Sequence, residues 1–384
     1  VRPTEEGPLF LRRGRGYAPA WIRLYRKLER NVVAFGAEIQ NAGAIGFGDK
    51  VVLTQYIGDV DEAANLEELD RYLGFLMDNY HLKPKDCILV ADLHPGYSSG
   101  RLAEHWANKY ELELIRVQHH WAHLLSVLAE TDEEAGVGIA IDGLGYGTDG
   151  TLWGGEVMTF GLGGFKRIGH LEPIPIPAGD RDTIYPLRLA YSLSFLALGE
   201  EGFSRMSRIG FGPKDFAYPE ELEILQLQLV KGAELKSTSV GRALDALSAL
   251  LRVCPYRSYD GEPAIKLEAF AKDTGLRFDV EVRNGTVKTS EVFLQALDAL
   301  ERGEDRRGIA YAYIHALGQG LGMLVDGEKR VYLSGGAAVN RILRQGIKDA
   351  LGPIKLTLPI RSPPGDGGIA VGQVLAAGLA SPIS

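Results

Sequence analysis

Apolar and polar positions along the chain follow two periods. From Asn31, VVAFGAEIQ and KVVLTQYIGD are β-branched and apolar runs separated by a glycine-bearing turn, the pattern of hairpin-connected strands. ANLEELDRYLGFLMDNY then places Leu66, Leu69, Leu73 and Met77 at helical spacing. Strand CILVAD, helix GRLAEHWANKY, strand LELIRV and helix HHWAHLLSVLAE follow. This order of strands, helix, strand, helix, strand, helix then recurs. GVGIAIDG, TLWGGEVMTF and GGFKRIGHLE read as three strands, and a helical stretch begins near Asp182. Strand RVYLSG, helix AAVNRILRQGIKDAL, strand IKLTLP and helix GGIAVGQVLAAGL complete the repeat.

The recurrence is one of topology, with little sequence identity between the halves. It predicts an α/β protein with the two-lobed ASKHA fold of actin, Hsp70 and the sugar kinases. The lobes are duplicated RNase H-like units, and residues 200–300 form a mainly helical insertion. The first lobe is expected over residues 25–136 and the second over 137–384. Residues 1–24 are rich in Arg, Pro and Gly, with Arg12, Arg13 and Arg15 close together, and show no sustained period. They read as a linker or the tail of a missing domain. In that architecture the interlobe cleft holds ATP, but a fold of this kind does not by itself identify a reaction.

Composition narrows the classes. The 384 residues are 24% charged and 45% hydrophobic, and the net charge of −8 argues against wrapping a nucleic-acid backbone. The only two cysteines, Cys87 and Cys254, lie in separate apolar surroundings, which excludes a disulfide framework and an all-cysteine zinc site. A reducing cytoplasm is the expected compartment. No apolar run reaches the ~18 residues of a spanning helix, and the first residues do not form a secretion signal. A chain opening on Val1 is expected to be a fragment or processed product of something longer.

The sharpest chemical feature is VQHHWAH, with three of the eight histidines in five residues. His119 and His123 are four apart and share a helix face, where two imidazoles can take adjacent positions on one metal ion. The best candidates for the remaining ligands are Asp142 in IAIDGLGYGTDG and Asp366 in SPPGDGGIAVG, both carboxylates among glycines. Taken singly, Asp142 could start a turn and Asp366 could cap a helix. Together with the histidines they make a mixed nitrogen and oxygen site suited to Fe, Zn or Mn rather than Ca or a structural thiolate zinc. Gly143, Gly145, Gly147 and Gly150 permit positive φ and expose N–H groups to anionic phosphates, although DGLGYGTDG fails the Walker A and dinucleotide templates. In LSGGAAVNRIL, Gly335 and Gly336 lead from a strand into a helix whose first turns carry Asn340, a setting for ribose or phosphate. Glu262 and Lys266, on a short helix with Glu268, read as solvent-side support. His94 occupies a strand-to-helix loop, and Arg188 is a cation on an apolar helix that either pairs inside the fold or reaches an anionic ligand.

In this order, VQHHWAHLLSVLAE, DGLGYGTDGTLWGGEV, LSGGAAVNRIL and PPGDGGIAVGQ closely resemble the carboxyl-terminal, Kae-like half of the HypF hydrogenase-maturation carbamoyltransferases. DLHPGYSSGRLA, FGAE and SYDGE strengthen the resemblance from about residue 31 onward, and PLFLRRGRGYAP is similar to the tail of the preceding YrdC-like domain. The resemblance implies carbamoyl transfer from carbamoyl adenylate, made from carbamoyl phosphate and ATP, to the C-terminal cysteine of HypE, a precursor of hydrogenase cyanide ligands. Adenylate formation would belong to upstream HypF domains, and transfer to this half. By motif position, the implied metal ligands are His119, His123, Asp142 and Asp366, with Fe or Zn as the ion and Mg accompanying nucleotide. The implied nucleotide contacts are Gly143, Gly145, Gly147, Gly335, Gly336 and Asn340. The family's common Leu-Lys-Asn is Ile39-Gln40-Asn41 here, so a cation expected near the phosphates is absent, and its third consecutive histidine is Trp121. Competing expectations are a nucleotide-binding scaffold without turnover, a kinase of the same fold, and a threonylcarbamoyl-tRNA-type transferase. The negative net charge disfavours the last.

Overall fold

The computed structural model describes residues 1–4, 7–14 and 16–379; Arg15 lies outside them. The chain opens with a small hairpin, β1 (Arg2–Thr4) and β2 (Gly7–Leu9). The first lobe follows, with β3 (Trp21–Arg23), β4 (Asn31–Ala34), β5 (Ala44–Phe47), β6 (Lys50–Leu53), α1 (Ala63–Asn79), β7 (Cys87–Asp92), α2 (Ser98–Tyr110), β8 (Leu114–Val117) and α3 (His119–Leu128). The second lobe begins with β9 (Ala135–Tyr146), β10 (Leu152–Gly161), β11 (Gly164–Leu171), β12 (Ile174–Pro175), α4 (Asp180–Ile184) and α5 (Leu187–Leu198). Its insertion contains α6 (Glu201–Arg208), α7 (Glu220–Lys231), β13 (Lys236–Ser237), α8 (Val240–Leu250), α9 (Glu262–Phe270), β14 (Val282–Arg283), β15 (Thr286–Val287) and α10 (Thr289–Glu301). The lobe is completed by α11 (Arg306–Met323), β16 (Arg330–Ser334), α12 (Arg341–Leu351), β17 (Lys355–Thr357) and α13 (Ile369–Gly378).

The two sheets have one plan. In the first, the strand order is β6-β5-β4-β7-β8, and in the second it is β11-β10-β9-β16-β17. Numbering only these five shared strands of each lobe in chain order, both run third, second, first, fourth, fifth. The first three strands are antiparallel and the last two are parallel to the first. This duplication is the recurrence read from the sequence. All six residues of β7, CILVAD, are buried, as a central parallel strand covered on both faces requires. Amphipathic α1 lays Leu69, Leu73, Leu76 and Met77 against one face.

The last helix of each lobe packs on the other lobe's sheet. Helix α3 lies against β9, β10 and β16, while α13 lies against β4, β5 and β7, and the two helices pack on each other. Every residue of both is buried, as helices covered on all sides require. Their crossing is close at Gly372, where a Cβ would stand 1.8 Å from the Ala122 carbonyl oxygen.

The structure differs from the sequence expectation at three points. The glycine-bearing stretch after Gln40 is a strand, β5, in the middle of the sheet. Its Gly46 is needed because α13 comes so close that a Cβ would meet Val374 Cγ1 at 2.3 Å. Residues 1–24 hold two short strands at their start, and β3 joins the edge of the first sheet beside β6. Three-residue strands are too short to show a period, and pairing with β6 decides the conformation. The glycines at 143 and 145 lie within β9, whose ladder with β10 continues through a bulge to Tyr146. Gly143, Gly145 and Gly147 do not have positive φ, while Gly150, in the turn that follows, does, at +78°.

Of the two uses open to Arg188, pairing inside the fold is the one seen: it contacts Asp182 at 2.5 Å and Glu221 at 2.9 Å, with both carboxylates buried. Glu262 and Lys266 pair at 2.6 Å across one helical turn. Cys87 and Cys254 are buried free thiols, and burial pushes Cys87 up to about 11. Among the described residues no helix is long and apolar enough to cross a membrane.

Candidate active site

The four candidate ligands arrive from three elements. Gln118 caps α3 by accepting the Trp121 amide at 2.9 Å, so the helix opens directly on His119, with His123 one turn later. Asp142 extends from β9, and Asp366 begins the short turn before α13. All four are buried, and one ligand atom from each lies within 4.8 Å of all the others. Asp142 Oδ2 is 3.0 Å from His119 Nε2 and 3.1 Å from His123 Nε2. Asp366 Oδ1 stands 3.7 Å and 3.5 Å from the same two nitrogens. Ligands about 2.1 Å from a tetrahedral zinc are about 3.4 Å apart. The donor set and its spacing therefore fit a divalent cation.

The surroundings fix this arrangement. Asp142 Oδ1 accepts the Gly143 amide at 2.8 Å and the Gly336 amide at 3.1 Å, which leaves Oδ2 to the imidazoles. Asp92, at the end of buried β7, lies 2.7 Å from His119 Nδ1 through Oδ2, and its Oδ1 accepts the His94 amide at 2.9 Å. A carboxylate on Nδ1 holds the ring's proton there and leaves the Nε2 lone pair for a metal. Glycine gives the rings room: a Cβ on Gly145 would meet His120 Cε1 at 2.4 Å and His119 Cδ2 at 2.8 Å. Gly335 has a φ of +102°, and a Cβ there would lie 2.1 Å from the Ile141 carbonyl oxygen. His120, which the sequence reading leaves out of the ligand set, turns to Gln118 and Trp153, and burial lowers its basicity well below normal.

Charge in this pocket is balanced by protons. Burial disfavours the His119 cation, but Asp92, Asp142 and Asp366 outweigh it and raise His119 well above the ordinary histidine value. His123 is raised in the same way by Asp142 and Asp366, against burial. Burial also opposes ionisation of Asp142, yet the two imidazoles hold its carboxyl well below the usual range. Asp366 is raised by burial and by the charge of Asp142. With His119 raised, a metal entering near neutral pH must displace protons from the imidazoles, so affinity falls as pH falls. Zinc titration in two buffers of different ionisation enthalpy should therefore register proton release, and buffer-independent heats would show that the imidazoles are already neutral.

Asp142 and Asp366 face a cavity of ≈ 930 Å³ between the lobes, also lined by Gln40, His94, Gly336 and Asn340. Asn340 is the N-cap of α12, its Oδ1 accepting the Ile342 and Leu343 amides at 3.0 Å, rather than a residue of the helix's first turns. The Gly335 amide donates to the Pro364 carbonyl at 2.8 Å. The Gly143, Gly335 and Gly336 amides are thus committed within the protein; Gly143, Gly145 and Gly336 line the cavity, whereas Gly147 packs on Trp153 and Gly335 on the Ile141 carbonyl, away from it. His94 stacks on Tyr97 with ring centroids 4.1 Å apart, and burial lowers its basicity.

Three residues escaped the sequence reading. Asp92 is an acid ending an otherwise apolar strand, a signal present in CILVAD. Arg242 and Asp245 form an ion pair at 2.9 Å on the cavity wall, both nearly fully buried. Burial pushes the Asp245 carboxyl up to about 6 against the pull of Arg242. Opposite charges three apart in the apolar stretch VGRALDALSALL were the available sign.

Two RNase H-like lobes facing a common cleft, with a buried two-histidine, two-aspartate cluster at its floor, define a two-lobed α/β protein of the ASKHA class. Residues 138–373, more than half of the chain, match the family described as "Carbamoyltransferase, Kae1-like Domain, second subdomain", and residues 27–130 match "HypF Kae1-like domain". The chain belongs to the HypF carbamoyltransferase family. It is 34% identical to the probable carbamoyltransferase HypF of Methanocaldococcus jannaschii, over 98% of this chain and 50% of that one. The crystal structure of T. kodakarensis HypF superposes with a TM-score of 0.91 at 34% identity, covering 98% of this chain and 51% of that one. A full-length HypF in phosphate- and nucleotide-bound form superposes at 0.86 and 26% identity, over 96% and 49%. The chain thus spans about half the length of these relatives.

Proposed function

We propose that the protein transfers a carbamoyl group from carbamoyl adenylate to the C-terminal cysteine of HypE, in the maturation of hydrogenase cyanide ligands. The observation that carries this reading is the buried His119, His123, Asp142 and Asp366 cluster opening onto a cavity of nucleotide size. A full-length HypF known in phosphate- and nucleotide-bound form is in keeping with a nucleotide as ligand. In the reaction the partner's thiolate sulfur attacks the carbamoyl carbon, an S–C bond forms, and the bond to the phosphate oxygen breaks as AMP leaves with its electron pair. The nucleophile belongs to the partner, in keeping with the burial of both cysteines of this chain.

The four ligands would hold a divalent cation, with Fe or Zn the best match to two imidazoles and two carboxylates. Bound there, such an ion supplies Lewis acidity to phosphoryl and carbonyl oxygens. The chain's own residues position the chemistry. Gly143 and Gly336 aim Asp142, Asp92 fixes the His119 ring, and Gly143, Gly145 and Gly336, with Asn340, line the space for nucleotide. Asp92→Asn keeps every ligand but loosens His119, and zinc affinity should fall about ten- to a hundredfold, the usual size of a lost outer partner. Competition against a chromogenic chelator measures this, and unchanged affinity would reduce Asp92 to a packing role.

The transfer itself is tested by intact-mass spectrometry of HypE. The acceptor is incubated with ATP, carbamoyl phosphate and a HypF whose transfer half is inactivated, with and without this chain. A carbamoyl-sized gain on the terminal cysteine only when the chain is present supports an autonomous transferase. No gain, with upstream adenylate shown to form, favours a nucleotide-binding scaffold.

A further inference from the structure

Among the described residues, the wall of the interlobe cavity carries seven carboxylates, among them Asp142, Asp245 and Asp366, against three arginines, Arg12, Arg242 and Arg257. A phosphate entering such a space needs a cation that is not already neutralised. Arg242 is paired with Asp245 at 2.9 Å and Arg257 with Asp260 at 3.3 Å. Arg12 has no ion pair among the described residues, and its guanidinium lies 4.6 Å over the Tyr56 ring. Stacking on an aromatic face orients the group without using its N–H donors.

The backbone places Arg12 at the metal end of the cavity. The Tyr56 amide donates to the Arg13 carbonyl at 2.8 Å, and the Ile57 amide donates to the Asn41 carbonyl at 2.9 Å. Arg12 therefore lies beside the segment bearing Gln40, which is neutral. The Gln40 carbonyl oxygen stands 3.3 Å from where a Cβ on Gly367 would be, and Gly367 follows Asp366. The same N-terminal segment is tied to the second lobe, where Arg2 meets Glu268 at 2.7 Å and the Val339 carbonyl at 2.9 Å. It forms a strap across the cleft mouth, anchored on both sides.

We propose that Arg12, carried on this strap, is the cation that receives the phosphate of a nucleotide in the cavity. The inference rests on the nucleotide reading given above. The test is calorimetric titration of the chain, Arg12→Ala and Arg12→Lys with AMP and with adenosine, which differ only in the phosphate. Arg12→Ala should weaken AMP about tenfold or more, the size of a charge-assisted hydrogen bond, and leave adenosine within about twofold. Arg12→Lys should retain part of the AMP affinity, and raising salt should weaken AMP more for the unmodified chain than for Arg12→Ala. Equal weakening of both ligands would make the strap merely structural, and unchanged AMP affinity would remove Arg12 from the site; either overturns the proposal. If the unmodified chain binds neither ligand, the nucleotide reading itself fails, an outcome distinct from an Arg12 effect.

Discussion

Substituting alanine at His119 and His123 together should reduce bound metal to background and carbamoyl transfer by at least about a hundredfold, the size of losing a preorganised electrostatic group. His119 opens α3 behind the Gln118 cap and His123 is internal to it, and alanine is a good helix former at both, so the helix persists. Asp142 keeps its two backbone donors, Gly143 and Gly336, and is not left without partners. Elemental analysis of the purified variant and the mass of HypE after incubation read the two losses, with circular dichroism to show that the fold remains. A metal-free double variant that transferred at the normal rate would remove the metal from the mechanism.

Gly372→Ala should be the most damaging single methyl group added to the molecule. The new Cβ would stand 1.8 Å from the Ala122 carbonyl oxygen and 2.6 Å from its carbon, and neither backbone atom can turn away as a side chain would. Helices α3 and α13 must separate, and the loss of packing should cost about 3 kcal/mol or more. Because α3 carries His119 and His123 and α13 follows Asp366, metal affinity should fall with stability. Calorimetric melting and zinc titration check both. Gly163→Ala is the control, since nothing lies within 4 Å of its added Cβ. Equal melting of the two variants would mean that the helices reseat without strain.

The strand and helix order of both lobes was legible because repeated apolar periods record which faces are covered. The His119 and His123 pair was legible because four-residue spacing on a helix is a statement about direction. What the sequence concealed was decided by contact between distant segments. Gly46 reads as a turn residue until Val374 is seen against it. Gly143 and Gly336 read as phosphate donors, and their amides hold Asp142. Arg12 lies in a stretch with no period, and only the bonds from Tyr56 to Arg13 and from Arg2 to Glu268 show that this stretch spans the cleft.

The helices that trade sheets make the molecule interlocked. Residues 129–134 join α3 to β9, and a nick there would not release two independent domains, since each fragment would carry its neighbour's covering helix and expose its own sheet. The ligands are divided in the same way, with His119 and His123 before that point and Asp142 and Asp366 after it. A rotation of one lobe against the other would therefore shift each of these helices against the sheet it covers. An ion held by all four ligands would tie together segments from both sides of that junction.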